Sequence, residues 1–461
     1  MRKHNVNLQC RIFDEHSQAG RPFWAWFKYR HEELRRPRTL LDNGNNVVRD
    51  KSSNFPLSEA MYSRPWGGIP FIYSFGDCSQ LPPVMMKAIY DDSESRTGTS
   101  DHLGRIVVKD FTGNISSHEA SSFVIMMDEV LRQSHSEFLS LLDNMRNDTI
   151  SDEDVSFIIS RCIDKLSNQE RNDFKDAIHL VPMWNMTDKI VFDYLLKFDS
   201  PIAKIRPILT TIRSNGENYC LKELSYPLNV ALCEGAIVML LKNFVVELNV
   251  MNGSVGIVRK IVYKNKEGPN SSRQSLPSYV IVEFRNASIP PNKKAFGHLP
   301  NTFIPIPVVT EHCEKCCCSM STIPLQVCVA LTIHKSQGMT IGPGEVFEKA
   351  VVYFPDTSNG QKSTPGLELV GMSRVKDPSC LAIGNMSTSL SVSDIKKIGS
   401  SKANKKVKEF RSKLTEQALS SKLEIIQKIK SLHGTNSPDE EPSFDGGCAF
   451  LLNWFWSTFS N

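Results

Sequence analysis

Nowhere in its 461 residues does the chain approach the roughly 20 consecutive apolar residues that span a bilayer, and the nearest candidate, Cys448 to Phe459, is about half that length. The first ten residues carry no apolar run of the secretory kind, so the chain reads as soluble and free of membranes. Twelve cysteines over this length are too sparse for a disulfide scaffold, which makes a reducing compartment the expectation. No excess of one charge is present either: 54 Lys and Arg against 50 Asp and Glu leave +4, so any basic surface must come from local clustering. Glycine and proline stand at 25 each, an ordinary share that excludes a collagenous or low-complexity protein. A further absence bears on chemistry. Lysine never directly follows glycine, so the chain has no Gly-rich turn ending in Gly-Lys-Ser/Thr, whose backbone N–H groups and ammonium would cradle phosphates.

What is present is an α/β texture with a β-rich interruption, in a length that leaves room for about three domains. Residues 1–120 include an apolar, aromatic run from Ile69 to Phe75 that ends in Gly76-Asp77, as a buried parallel strand should; residues 91–120 are polar and read as loop. Residues 121–230 open with the apolar run Phe123 to Met127, read as a strand, and continue into Phe138, Leu141, Leu142 and Met145 at helical spacing. A strand from Ala177 to Pro182 follows, then a helix with Thr187 as its N-cap. Residues 231–310 hold short β-like runs at Ala236–Leu241, Val255–Val262, Tyr279–Phe284 and Phe303–Val309, with Asn252-Gly253 as a hairpin-type dipeptide; they read as a small inserted β-barrel. Strand-like runs return in 311–390 at Val327–Ile333, Ala350–Phe354 and Cys380–Ile383. The last stretch, 391–461, is a basic helix and tail. Between Lys396 and Lys430 eleven Lys or Arg face three Glu, which suits a solvated amphipathic helix docked on the body or a nucleic-acid contact. Residues 434–447 read as a linker, and the apolar tail from Leu451 to Trp456 has no physical account.

Three strings carry chemistry. Gly76 to Val84 follows a strand, which places Asp77 and Gln80 where a phosphate and its metal would lie, beyond a strand's carboxyl end. Thr332 to Thr340 packs hydroxyls, an imidazole, an ammonium and an amide into a strand-to-helix turn with a glycine, a phosphate-contacting composition. Leu369 to Val375 surrounds Arg374 with apolar residues, and a half-buried guanidinium needs a partner. That partner is a structural carboxylate or a triphosphate met in the manner of an arginine finger. Arg132-Gln133 poses the same choice. A fourth string, Cys313 to Cys318 beside His312, offers one Cys-x-x-Cys; zinc would need His298, Cys233 or Cys328 as well, and a thiol-rich loop is the other reading.

In this order the strings resemble the Pif-one family of superfamily 1B DNA helicases, relatives of RecD, over about residues 8 to 386. Gly76–Val84 resembles the family's motif III, Arg132-Gln133 motif IV, Thr332–Thr340 motif V and Leu369–Val375 motif VI. Glu234–Asn243 with Val250–Gly256 is similar to the lead into its SH3-like insertion. Motif II, the metal-binding acidic pair, has rivals, because Asp-Glu occurs at 14, 128, 152 and 439. Phe123–Met127 before Asp128-Glu129 is the cleaner strand; motif order instead selects Asp14-Glu15, in Ile12–Ser17, where Gln18 departs from the usual Met.

The resemblance implies two RecA-like α/β domains, the first incomplete, with the SH3-like barrel inserted in the second, and ATP between the two. Asp14 would hold Mg²⁺, Glu15 would activate water, Gln80 would sense the γ-phosphate, and Arg132 and Arg374 would stabilise transition-state charge. Asp77 and Gln337 would also lie at the nucleotide, while Thr332, His334, Lys335, Ser336 and Asn252 would meet DNA. Partners implied are single-stranded DNA and DNA junctions, with 5′ to 3′ unwinding in repair, recombination or telomere maintenance, in the nucleus or the mitochondrion. Oligomeric state is open. The family's motif I would precede Asp14, so the chain is either an N-terminally truncated helicase or a non-catalytic, single-strand-binding remnant, such as one left by a mobile element.

Overall fold

The computed structural model describes residues 8, 10–35, 39–41, 47–49, 64–69, 71–111, 124–127, 130–210, 226–227, 230–264, 276–287, 289, 299–312, 319–355, 364, 366–384, 392–396, 398 and 402–433. Two parallel-stranded units carry the chemistry-bearing strings. In the first, strand Cys10–Phe13 runs parallel to strand Phe71–Ser74, with Phe13 opposite Ser74. Pairing continues one step further, as Phe75 N–H donates to Phe13 O at 2.8 Å and His16 N–H to Phe75 O at 2.8 Å. Asp14-Glu15 and Gly76-Asp77 therefore leave the sheet side by side, at the carboxyl ends of adjacent strands.

Helices Arg21–Arg35 and Ser100–Phe111 pack together in this unit. The second of them corrects the reading of 91–120 as loop. Its buried apolar residues, Val107 and Val108, occupy only one face, and the polar remainder masks that period in the sequence. Close contact rests on Gly104, where a Cβ would lie 1.7 Å from the Arg21 carbonyl oxygen. Arg21, wholly buried, knits the polar loop to the helix pair: Nε donates to Asp101 Oδ1 at 2.9 Å, Nη1 to Asp91 O at 2.6 Å and Nη2 to Ser95 Oγ at 2.7 Å.

The second unit is built on an all-parallel sheet in the order Ala330–Thr332, Ile178–Val181, Ala350–Tyr353, Leu381–Gly384. Ile178, Leu180, Val351, Val352 and Leu381 are fully buried, the near-continuous apolar pattern of strands covered on both faces. Each such side chain contributes roughly 1.5–3 kcal/mol by leaving water. Helix Ser136–Asn147 forms as its spacing requires, since Phe138, Leu141, Leu142 and Met145 line one buried stripe. The His135 side chain caps its start by accepting from Phe138 N–H, and Asp148, at φ 58°, ends it.

Between these strands lies a five-stranded antiparallel sheet, in the order Phe303–Pro307, Tyr279–Glu283, Val255–Val262, Ile237–Leu240, Leu325–Val327. Gly253, at φ 91°, turns the chain between Ile237–Leu240 and Val255–Val262, and its N–H donates to Leu240 O. Two apolar runs divide between sheets. Val327–Ile333, read as one strand, is two: Leu325–Val327 joins the antiparallel sheet and Ala330–Thr332 the parallel one, with Cys328 and Val329 crossing between. Phe303–Val309 likewise yields Phe303–Pro307 and, in a second sheet, Val309–His312.

Two further readings need correction. Residues 124–127 form no strand; Ile125, Met126 and Met127 are exposed, and they have no sheet to join. Thr187 is not the cap of its helix but the first residue after Met186, and its hydroxyl donates to Trp184 O. The basic stretch forms one helix, Lys402–His433. None of the described helices is long and apolar enough to cross a membrane. Asp128-Glu129, Cys313–Cys318, His298 and everything beyond His433 lie outside the described residues.

Candidate nucleotide and nucleic-acid site at the junction of two units

Parallel strands aim their carboxyl ends at one junction. From the first unit come Asp14, Glu15, Asp77 and Gln80; from the second come Arg132, Gln133, Gln337 and Arg374. Glu15 sits at φ 53°, a left-handed conformation uncommon for a non-glycine residue, and its N–H donates to Asp14 Oδ1 at 2.9 Å. His16, the next residue, bridges the two strands. Its Nδ1 lies 2.9 Å from Ser74 Oγ and its Nε2 3.8 Å from the Cys78 sulfur, and burial pulls its pKa below the ordinary imidazole value. Gly76 lets His16 approach, because a Cβ there would stand 2.7 Å from the ring. Burial also pushes the Cys78 thiol up to about 12, so it is inert as a nucleophile at neutral pH.

Arg374 is the least ordinary group at the junction. Only 2% exposed, its guanidinium donates from Nε to Val370 O at 3.0 Å and from Nη2 to Ser373 Oγ at 2.9 Å. Among the described residues no carboxylate lies within ion-pair distance of it. Burial, with Arg132 nearby, pulls its pKa down to about 10, and the fields of Glu15 and Asp77 oppose that fall. Arg132 is also lowered by burial and supported by Glu15. The two segments that hold the arginines are joined by side-chain donors on backbone carbonyls: Arg132 Nη1 donates to Ser373 O at 3.0 Å, and Gln133 Nε2 to Ser373 O and Val375 O, both at 2.9 Å. The two strings read separately in the sequence are one packed element.

Across the junction, Gln337 Nε2 donates to Gln80 Oε1 at 3.4 Å. Gly366 permits the approach, since a Cβ on it would lie 2.5 Å from Ser79 O. Thr332 caps the turn that carries His334 and Lys335 by accepting from Lys335 N–H, and Lys335 Nζ donates to Gln326 Oε1 at 3.0 Å. Partial burial lowers the pKa of both His334 and Lys335. Ser336 corrects the sequence reading. It is fully buried with its hydroxyl donating to Ile333 O, so it shapes the turn and cannot meet DNA. Asn252 is exposed at the β-rich turn, its N–H donating to Asn243 Oδ1. Asp77, read as a nucleotide contact, is already engaged: Oδ1 accepts from Ser79 N–H at 2.8 Å and Oδ2 from Arg146 at 3.3 Å. Nothing in the sequence singled out Arg146, Gly366 or Gln326, whose roles depend on contacts distant along the chain. Cys233 and Cys328 are buried free thiols in apolar surroundings, and no cluster of metal-ligating side chains occurs among the described residues.

The fold brings the carboxyl ends of two parallel sheets together at one junction. No protein-family model matches the chain, and no curated protein sequence does either. Solved structures do. Its fold is similar to that of solved Pif1 helicases. The crystal structure of Pif1 helicase from Candida albicans aligns at a TM-score of 0.60 and 19% identity, covering 90% of this chain and 78% of that one. Bacteroides Pif1 in complex with ADP-AlF3 and single-stranded DNA aligns at 0.53 and 18%, covering 87% and 78%. A structure of two coordinating Pif1 helicases on forked duplex DNA aligns at 0.53 and 19%, covering 86% and 72%.

Proposed function

We propose that the chain is a Pif1-type ATP-dependent DNA helicase module, whose two RecA-like units hold single-stranded DNA jointly, with an SH3-like insertion in the second. One observation carries the reading: Arg374, a buried guanidinium without a carboxylate partner among the described residues, beside Arg132 and within the field of Glu15 across the junction. A buried cation in that state asks for an anion, and a terminal phosphate is the anion suited to a cleft between two parallel sheets. That a similarly folded Pif1 helicase was solved with ADP-AlF3 and single-stranded DNA supports the same choice.

The residues present fit the γ-phosphate end of a nucleoside triphosphate and its Mg²⁺. Asp14 is an exposed carboxylate at a strand end with Oδ1 held by the Glu15 N–H, suited as one ligand of a cation that keeps most of its water. When bound, the metal-triphosphate supplies the phosphoryl group. Glu15 would accept the proton of the attacking water, Arg132 and Arg374 would neutralise charge developing on the phosphoryl oxygens, and Gln80, hydrogen-bonded to Gln337, would relay occupancy to the DNA-facing turn. They do not fit its α,β end, since these 461 residues contain no Gly-Lys to cradle it. A second reading is a single-strand-binding remnant without catalysis.

Two measurements on the 461-residue chain test these readings. Fluorescence anisotropy with an unstructured oligonucleotide should show binding whose log affinity falls with log salt by about 0.7 for each phosphate contacted. Phosphate release should stay at background with or without DNA, because metal and arginines alone do not position the triphosphate. Salt-insensitive or absent DNA binding defeats both readings; DNA-stimulated turnover defeats the remnant and reveals another phosphate cradle.

A further inference from the structure

Arg146 lies in the last turn of helix Ser136–Asn147 of the second unit and pairs with Asp143 of that helix at 3.7 Å, yet its closer ion-pair partner, Asp77 at 3.3 Å, belongs to the first unit. Asp77 in turn organises the turn that presents Gln80: its side chain accepts from Ser79 N–H at 2.8 Å and its carbonyl from Gln80 N–H at 3.0 Å. A third element braces the pair. Helix Lys402–His433 seats Val407 against Cys78, Ala88 and Tyr90 of the first unit, and Lys406 pairs with Asp91 there at 2.9 Å. On the second unit the same helix grips the residue after Arg146, with Arg411 Nη1 donating to Asn147 Oδ1 at 3.1 Å and Lys408 Nζ to Asn147 O at 3.3 Å. Further along, Ser421 Oγ accepts from Val124 N–H in the segment joining the two units.

We propose that Arg146 is a positioning residue which, through Asp77, holds the Ser79-Gln80 turn against the second unit so that Gln80 meets Gln337, and that the Lys402–His433 helix is the brace keeping Arg146 in place. Geometry gives the pair more weight than an ordinary surface salt bridge. Both partners are under a third exposed, each is tied to a backbone turn or helix end, and losing Arg146 leaves the Asp77 carboxylate without its cross-unit partner. The basic run of the C-terminal stretch is thus read as docking on two bodies at once. This deepens the proposed function, because a strand held jointly by both units requires the units to keep their register.

Hydrogen exchange on the full chain tests it, through the amides of Ser79 and Gln80 and those of the Gln337 turn. Arg146→Gln should speed exchange at both places by about threefold to tenfold, the range expected from losing a partly shielded ion pair. Arg146→Lys should restore most of the protection, and Arg411→Ala should weaken it in the same places. The core strand Ile178–Val181 should not change. Unaltered exchange at Ser79-Gln80 in Arg146→Gln, or equal acceleration in Ile178–Val181, overturns the proposal. These readouts need no DNA, so failure of wild-type DNA binding in the anisotropy experiment would defeat the functional reading while leaving the clasp to be judged on its own.

Discussion

His179 shows how far one side chain's surroundings decide its charge. Its Nδ1 lies 3.0 Å from the Tyr353 hydroxyl with the rings stacked, and burial, aided by nearby Lys197, pulls its pKa down to about 4. The folded chain keeps this imidazole neutral, whereas the unfolded chain takes up a proton below about 6.5. Its contribution to stability is therefore complete above about 6.5 and is lost as pH falls toward about 4. His179→Phe should flatten the fall of thermal midpoint between those two values relative to wild type, in calorimetry at a series of pH values. His16 and His334 shift in the same direction and persist in both proteins, so the difference isolates His179. An unchanged slope would refute the assignment. Residue chemistry was partly legible in the sequence: a guanidinium among apolar neighbours had to find a partner, and Arg374 was singled out on that ground. Which partner it lacks could not be read there, because the carboxylate alternative is decided by neighbours hundreds of residues away. Ser336 was misread for a related reason, since a hydroxyl in a polar turn looks available until the turn folds back on Ile333.

Elements were legible wherever a period was strong. The stripe Phe138, Leu141, Leu142, Met145 gave a helix, and the continuous apolar strands gave a parallel sheet. They were illegible where the apolar run was short or crossed between sheets, as at Phe123–Met127 and Val327–Ile333, because a run of apolar residues does not say which sheet, if any, will receive it. Helix Ser100–Phe111 was lost in a polar flank, and its packing rests on a feature no period reveals, the near contact at Gly104. Gly104→Ala pits about 1 kcal/mol of helix propensity in favour of alanine against a backbone collision that no side-chain rotation relieves. The collision wins. Chemical denaturation should show a net loss of about 1–3 kcal/mol, and a variant as stable as wild type would mean the two helices do not approach as described.

For the molecule as a whole, the order of the strings is legible along the chain, and the structure supplies the reason that order matters: two parallel sheets, with their carboxyl ends converging on one junction. Cross-unit contacts such as Gln80–Gln337 and Asp77–Arg146 leave no trace in the sequence, being made between segments far apart in the chain. In the proposed function, both units grip one strand of DNA together. Hydrogen exchange of the 461-residue chain with and without a saturating single-stranded oligonucleotide tests it most directly. Added protection should appear in two separate segments at once, the Thr332–Met339 turn of the second unit and the Gly76–Met86 segment of the first. Protection confined to the basic helix Lys402–His433, with neither segment affected, would contradict it.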